Sequence, residues 1–386
     1  MKKIMLFGAM ALVGIMSSCS SDEVVTSPDN GENGLQEIKL GFGIETTATT
    51  RGTGTVGGFE GSNEWNGQKF NVFMLDKGTV RTTHFYKEGA NFDNAVFIAE
   101  QEKVRPEDGR KRYYPAQGIF DFWGYRLDGC NTGETKADAD STMLMIPFKM
   151  DGSQDILVGK ATPSPEEINS CPQPERIYSA YAARRDIQPC IKFEHLLSRL
   201  EFSVMPATTA DIKNLQGLSV TGIEVVSKST GKLIVAYTGN VTDRIVFDDT
   251  EERLALKQRA ADGDTNKDLI PLKPVTPLWY TEVNAPIETP VGDALLVAPA
   301  DSYKIIVHLS QLKNDSYDEN NTNMNPREFS YEDNLSTSGG FKAGYSYKVN
   351  ISVYGLCEIE LATTLKAWEN GGNIPLNPEE NGTITK

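Results

Sequence analysis

An all-β protein built of two tandem antiparallel β-sandwiches is the fold class that this 386-residue sequence predicts. Three observations lead there. Short strand-like runs separated by Gly, Asn, Asp and Pro fill the chain, and apolar 3.6-residue periodicity is scarce. About 365 residues follow an N-terminal leader, which suits two cores at a prior of roughly 150 residues per domain.

The leader, residues 1–18, comes first in chain order. Lys2 and Lys3 form a basic start, Ile4 to Met16 a short apolar run, and Met16-Ser17-Ser18 leads to Cys19. The run falls well short of the ~20 residues that span a bilayer. It looks like a bacterial lipoprotein signal with Cys19 as the lipidated first residue, although Met16 replaces the usual leucine. An ordinary secretory signal cut nearby is the alternative. The expected anchor is therefore acyl chains and not a spanning helix.

Residues 19–36 read as an acidic flexible spacer. The segment "EIKLGFGIETTATTRG", residues 37–52, then gives a strand in which Ile38, Leu40, Phe42 and Ile44 alternate with Lys39, Gly41, Gly43 and Glu45. A polar tether follows it and ends at Arg51, in the kind of small-residue stretch where proteolytic nicking concentrates.

Further along, "KFNVFMLDKGTVRTTHFY" places two β-rich runs around Asp76-Lys77-Gly78, a hairpin signal. The runs "IFDFWGYRL", "DILVG", "IKFEHLLSRLEFSV", "LSVTGIEVVS", "GKLIVAYTG", "SYKIIVHLS", "YSYKVNISVYG" and "CEIELATTLKAW" continue the strand pattern. Only "TEERLALKQRAA" offers a helical stretch. A domain break is predicted between Cys171 and Pro206, where the proline-bearing "SCPQPERIYSAYAARRDIQPC" precedes a new strand, with an N-terminal sandwich over 37–190 and a C-terminal one over 191–386 that ends in a polar tail. The stretch "KNDSYDENNTNMNPREFSYEDNLSTSGG" reads as a long exposed loop.

Charge excludes one class of partner. With 53 Asp+Glu against 38 Lys+Arg, the balance argues against nucleic acid, whose phosphates need clustered positive charge. Cys130, Cys171, Cys190 and Cys357 allow three disulfide pairings, of which Cys171 with Cys190 is the most local.

Apparent catalytic and ligand motifs fail on chemistry. Gly52-x-Gly54-x-x-Gly57 is followed by glycines and asparagines, so no helix N-terminus is there to hold a pyrophosphate. Asp262, Asp264, Asn266 and Asp268 resemble the front of a calcium loop, but Lys267 and Lys273 stand where glycine and a bidentate Glu belong. His84, His195 and His308 are isolated, and His195 reads as structural. No enzyme, cofactor or metal site is expected; Asp/Glu pairs are common in so acidic a chain, and nothing singles one out as a glycosidase dyad.

Several features coincide with one family. "CSSDE", the early strand running to "TTR", "YYPAQGIFDFWGYR", "IKFEHLLSRLEFSV" and "FKAGYSYKVNISVYG…LKAW", in that order, resemble the fimbrillin-like (Mfa-like) lipoprotein subunits of Bacteroidales type V pili. The resemblance implies two transthyretin-like β-sandwiches, export to the outer membrane surface through the lipid anchor of the precursor, and trimming by an arginine-specific protease, here after Arg51. Cleavage there would remove the Ile38/Leu40/Phe42/Ile44 strand with its lipid. The family pattern implies that a C-terminal strand of a neighbouring subunit replaces it; in "EIELATTLKAW" the donor side chains are Ile359, Leu361, Leu365 and Ala367. The expected partners are other pilin subunits, and the role is cell adhesion as a structural or tip subunit. The rival expectation is a monomeric glycan-binding surface lipoprotein using Trp65, Trp123 and Trp279 as stacking platforms.

Overall fold

A computed structural model describes residues 35–44, 67–80, 94–100, 104–207, 215–259, 269–276, 278–280, 285–311, 327–356 and 358–366. The first strands are β1 (Gly41–Ile44), β2 (Lys69–Asp76), β3 (Ala95–Ala99), β4 (Val104–Pro106), β5 (Phe120–Arg126), β6 (Asn131–Thr132), β7 (Lys136–Ala137), β8 (Met143–Lys149) and β9 (Leu157–Ala161). Two short helices, α1 (Pro165–Ser170) and α2 (Ala180–Ala183), precede β10 (Cys190–His195).

Seven of these strands form one sheet in the order β1-β10-β9-β5-β2-β3-β4. It is buried on both faces, and β2 shows how. Phe70, Val72 and Met74 point into one core while Phe73 and Leu75 point into another, so Val72 to Leu75 read as an unbroken apolar run. The segment 165–188 covers the first face with Ile177, Tyr178, Ala180, Ala182, Ala183 and Ile187. It starts at a capping box, in which Ser164 and Glu167 satisfy each other's backbone N–H groups.

Later strands are β11 (Ser198–Pro206), β12 (Leu218–Lys228), β13 (Thr230–Tyr237), β14 (Ile245–Phe247), β15 (Glu251–Ala255), β16 (Lys257–Arg259), β17 (Leu269–Pro271), β18 (Leu278–Tyr280) and β19 (Ala285–Ile287). The last are β20 (Thr289–Val297), β21 (Ala300–Gln311), β22 (Arg327–Phe341), β23 (Ser346–Gly355) and β24 (Glu358–Lys366). A second sheet, β14-β13-β8-β6 with β7 also on β8, closes the first sandwich by packing Leu144, Ile146, Phe148, Leu233 and Val235 against Phe73, Trp123 and Val158. The second sandwich pairs the sheets β20-β11-β23-β24 and β15-β12-β21-β22 around Phe202, Val225, Ile305, Val307, Val349 and Ile351. Strands β16-β17 and β18-β19 make two small ribbons.

The all-β expectation is met, with corrections. The boundary between 190 and 191 cuts into β10, which pairs with β9 through Ile191↔Ala161 and Phe193↔Gly159. Strands β13 and β14 also belong to the first sandwich although they come from the second half of the chain, because β13 pairs with β8. The chain thus passes between sandwiches at Leu196-Leu197, at Ser229 and at 248–250. The proline-bearing stretch 171–190 is itself a packed crossover of the first sandwich, and the passage at Leu196-Leu197 lies between Cys171 and Pro206 as expected. "TEERLALKQRAA" forms β15 and β16 because pairing with β12 and burial of Leu254 override its helix propensity.

The second half of the expected long loop is β22, an edge strand whose polar residues face solvent. Two ladders, β1 with β10 and β11 with β23, are parallel, each joined by a connection long enough for a crossover. Gln36, assigned to the spacer, is buried. Among the described residues, Cys130, Cys171 and Cys190 are free thiols.

Candidate strand-exchange site

Period-2 alternation places Ile38, Leu40 and Phe42 on one face, and all three enter the core beneath the 165–188 crossover, with Phe42 fully buried. Phe42 meets Phe70, and Phe70 in turn meets Phe193 edge-on at 5.5 Å. Backbone bonds hold the segment from two sides. Ile38 N donates to Arg112 O at 2.8 Å and Tyr114 N to Gln36 O at 2.9 Å, while Gly41 N donates to Pro189 O at 2.9 Å. From Gly41 onward β1 runs parallel to β10 with Phe42 opposite Ile191. It is the terminal strand of its sheet.

The position of β10, and hence of β1, depends on glycine. A Cβ on Gly159 would stand 2.2 Å from Lys192 O, and one on Gly124 would stand 2.7 Å from the Phe193 ring. Gly124 and Gly159 face each other across β5 and β9, so Phe193 lies over a bare stretch of backbone.

Around this core sit polar groups that it does not satisfy. The hydroxyls of Tyr114 and Tyr178 are buried without hydrogen-bond partners among the described residues. Burial pushes both phenols up, and each tyrosine packs edge-on against Phe122. Tyr178 also has φ +62°, an outlier for a bulky residue. Burial, with Glu167 nearby, raises the Cys190 thiol.

The expected donor side chains lie in the second sandwich. Strand β24 pairs antiparallel with β23 of its own chain, with Ile359 opposite Val353 and Leu365 opposite Tyr347. It is likewise a terminal strand. Ile359 is buried, Leu361 half-buried and Leu365 55% exposed, so the apolar stripe is only partly covered. Cys19, Arg51, Ala367, Cys357, Trp65, His84, the Gly52–Gly57 motif and the 262–268 acidic turn lie outside the described residues, as does the side chain of Ile44 and that of Trp279.

Other chemistry-bearing residues are placed elsewhere. His195 Nδ1 is 2.7 Å from Asp155 Oδ2 with both side chains buried, just before the passage to β11. His308 sits on the outer face of β21, 2.8 Å from Ser330 Oγ. Trp123 is a core residue, 3% exposed, which removes it as a stacking platform. Among the described residues no cluster of three or more His, Cys, Asp or Glu is arranged for a metal, and no helix is long and apolar enough to cross a membrane.

Sequence reasoning missed Gln188. Its side chain is buried and bonds to the backbone of Glu37 and Lys39. Nothing local in "RDIQPC" announces that role, since the partner is about 150 residues away.

The sequence matches the fimbrillin-like family over residues 50–368. A search of curated proteins finds no match. Among solved structures, the chain is similar to a proposed cell adhesion protein of Bacteroides uniformis, at 14% identity and TM-score 0.42, over 86% of this chain and 98% of that one. It is also similar to a proposed adhesin of Bacteroides thetaiotaomicron, at 9% identity and TM-score 0.40, over 86% and 98%. A third is the fimbrial anchor protein Mfa2 of Porphyromonas gingivalis, at 10% identity and TM-score 0.34, over 85% and 98%.

Proposed function

This chain belongs to the fimbrillin-like family, and on that premise we propose that it is a structural or tip subunit of a pilus used in cell adhesion. The precursor is exported as a lipoprotein, tethered to the outer membrane surface through Cys19. Cleavage after Arg51 releases residues 19–51, and with them β1 and the lipid. The vacated groove is then filled by the C-terminal strand of a neighbouring subunit, carrying Ile359, Leu361, Leu365 and Ala367. The released subunit enters the pilus.

One observation supports this reading above the rest. Strand β1 ends its sheet, yet it and the residues just before it deliver Ile38, Leu40 and Phe42 into the core of the first sandwich. Each buried side chain of that size contributes roughly 1.5–3 kcal/mol. Loss of the strand therefore leaves an apolar groove beside the β10 edge, the condition under which a replacement strand binds by main-chain pairing.

Arg51→Ala tests it. The expected variant keeps its N-terminus and stays monomeric, while limited trypsin treatment of the unsubstituted precursor cuts first near Arg51 and yields multimers. Unchanged processing and assembly of Arg51→Ala would overturn the proposal at this site.

A further inference from the structure

Gln188 occupies an unusual place in the ladder that holds the first strand. Its Nε2 donates to Glu37 O at 3.1 Å, and its Oε1 accepts from Lys39 N at 3.1 Å. Those two groups flank residue 38 on one strand edge. A residue of a neighbouring parallel strand would satisfy them in the same way, with its own N–H and C=O. The next residue is Pro189, whose carbonyl accepts from Gly41 N but which has no N–H to offer. The β10 ladder therefore stops at the proline, and the Gln188 amide carries it one step further from a side chain.

We propose that Gln188 is a main-chain reader that holds whichever extended strand occupies this groove. It holds the resident strand in the precursor and, resting on the function proposed above, an incoming strand after cleavage. The primary amide presents one donor and one acceptor, so it reads backbone and is indifferent to the side chains at positions 37 and 39. Selection then falls on two features of the occupant. It needs apolar side chains at the positions of Ile38, Leu40 and Phe42, which are buried, and an N–H at the position of Lys39, which excludes proline there. The partner is thus an extended, alternating apolar strand with no proline at its second position. Strand β24 of a second copy has no proline from 358 to 366 and meets two of the three apolar terms, with Ile359 and Leu361 at the positions of Ile38 and Leu40 but Thr363 at that of Phe42.

Gln188→Glu is the decisive substitution. A carboxylate keeps the shape and still accepts from Lys39 N, but it cannot donate to Glu37 O. Gln188→Ala removes both bonds. Amide hydrogen exchange on the full-length chain, followed by mass spectrometry, reads the result. Each lost bond should speed exchange of residues 37–44 by about fivefold, so that Gln188→Ala exceeds Gln188→Glu. Segments 157–161 and 327–341 should exchange as in the unsubstituted chain, which a general packing defect would not allow. Unchanged exchange at 37–44 in both variants overturns the reader. Faster exchange there, combined with normal assembly of Arg51→Ala, upholds the reader for the resident strand and overturns only strand replacement.

Discussion

The rings of Phe42 and Phe70 meet with centroids 5.6 Å apart and planes tilted by 47°. Phe70 also stacks on Phe97 at 6.1 Å and meets Phe193 at 5.5 Å, so one side chain of β2 gathers β1, β3 and β10 into a single aromatic cluster. Three of its members stay if β1 leaves. The cluster is therefore the floor of the groove, and Phe42 is the part of it that the first strand supplies.

Phe42→Ala should loosen the first strand more than it destabilises the whole chain. Truncating a buried Phe costs about 3–5 kcal/mol where the surroundings cannot collapse. Here the loss falls on a terminal strand, which can detach locally. The expected result is faster exchange of residues 37–44 and faster tryptic cleavage nearby, with the melting temperature of the second sandwich unchanged. Equal destabilisation of both sandwiches would mean that the strand is integral to the global fold.

Acid should weaken the contact between the sandwiches through Asp151. Burial acts to raise its carboxyl pKa, but hydrogen bonds from Lys257 and Ser153 and the Lys257 charge outweigh burial and hold it below the usual carboxylate range. A depressed carboxyl contributes stability above the unfolded value, and this is lost as pH falls through the folded one. Both partners are at least a third exposed, so the contribution is under about 1 kcal/mol. Asp128, which burial raises, acts in the opposite sense. Thermal melts of Asp151→Asn should accordingly show a flatter decline below pH 4 than the unsubstituted chain, and an identical decline would exclude this pair as a source of acid sensitivity.

Much of the site was legible because alternation reports which face of a strand is buried. Ile38, Leu40 and Phe42 carry that signal, and so do Ile359 and Leu361. Alternation does not report the partner. Nothing in "GKLIVAYTG" says that Leu233 pairs with Ile146 of the first sandwich and not with a strand of the second. The prolines at 172, 174 and 189 signalled a break, yet the alanines between them pack flat on a sheet, which needs a tertiary partner to recognise. Gln188 was invisible for the same reason. Its bonds span a sequence separation that no local rule covers.

The interleaving of the two halves gives the last expectation. A fragment 35–190 keeps β1 to β9 but loses β10, which carries Ile191 and Phe193, and loses β13 with Leu233 and Val235. Its main sheet would be left without the strand between β1 and β9, and its second sheet without the neighbour that pairs along Met143–Lys149. Such a fragment exposes several large apolar side chains at once, each contributing roughly 1.5–3 kcal/mol when buried, against a domain stability of about 5–15 kcal/mol. It should therefore be unfolded or aggregated, as read by loss of near-ultraviolet circular dichroism and of a cooperative melt. A chain cut within the same boundary but supplied with residues 191–386 in trans should regain both signals, because the missing strands reach their places through pairing and do not require an unbroken peptide at 190. Cooperative folding of 35–190 alone would show that the first sandwich does not depend on strands from the second half.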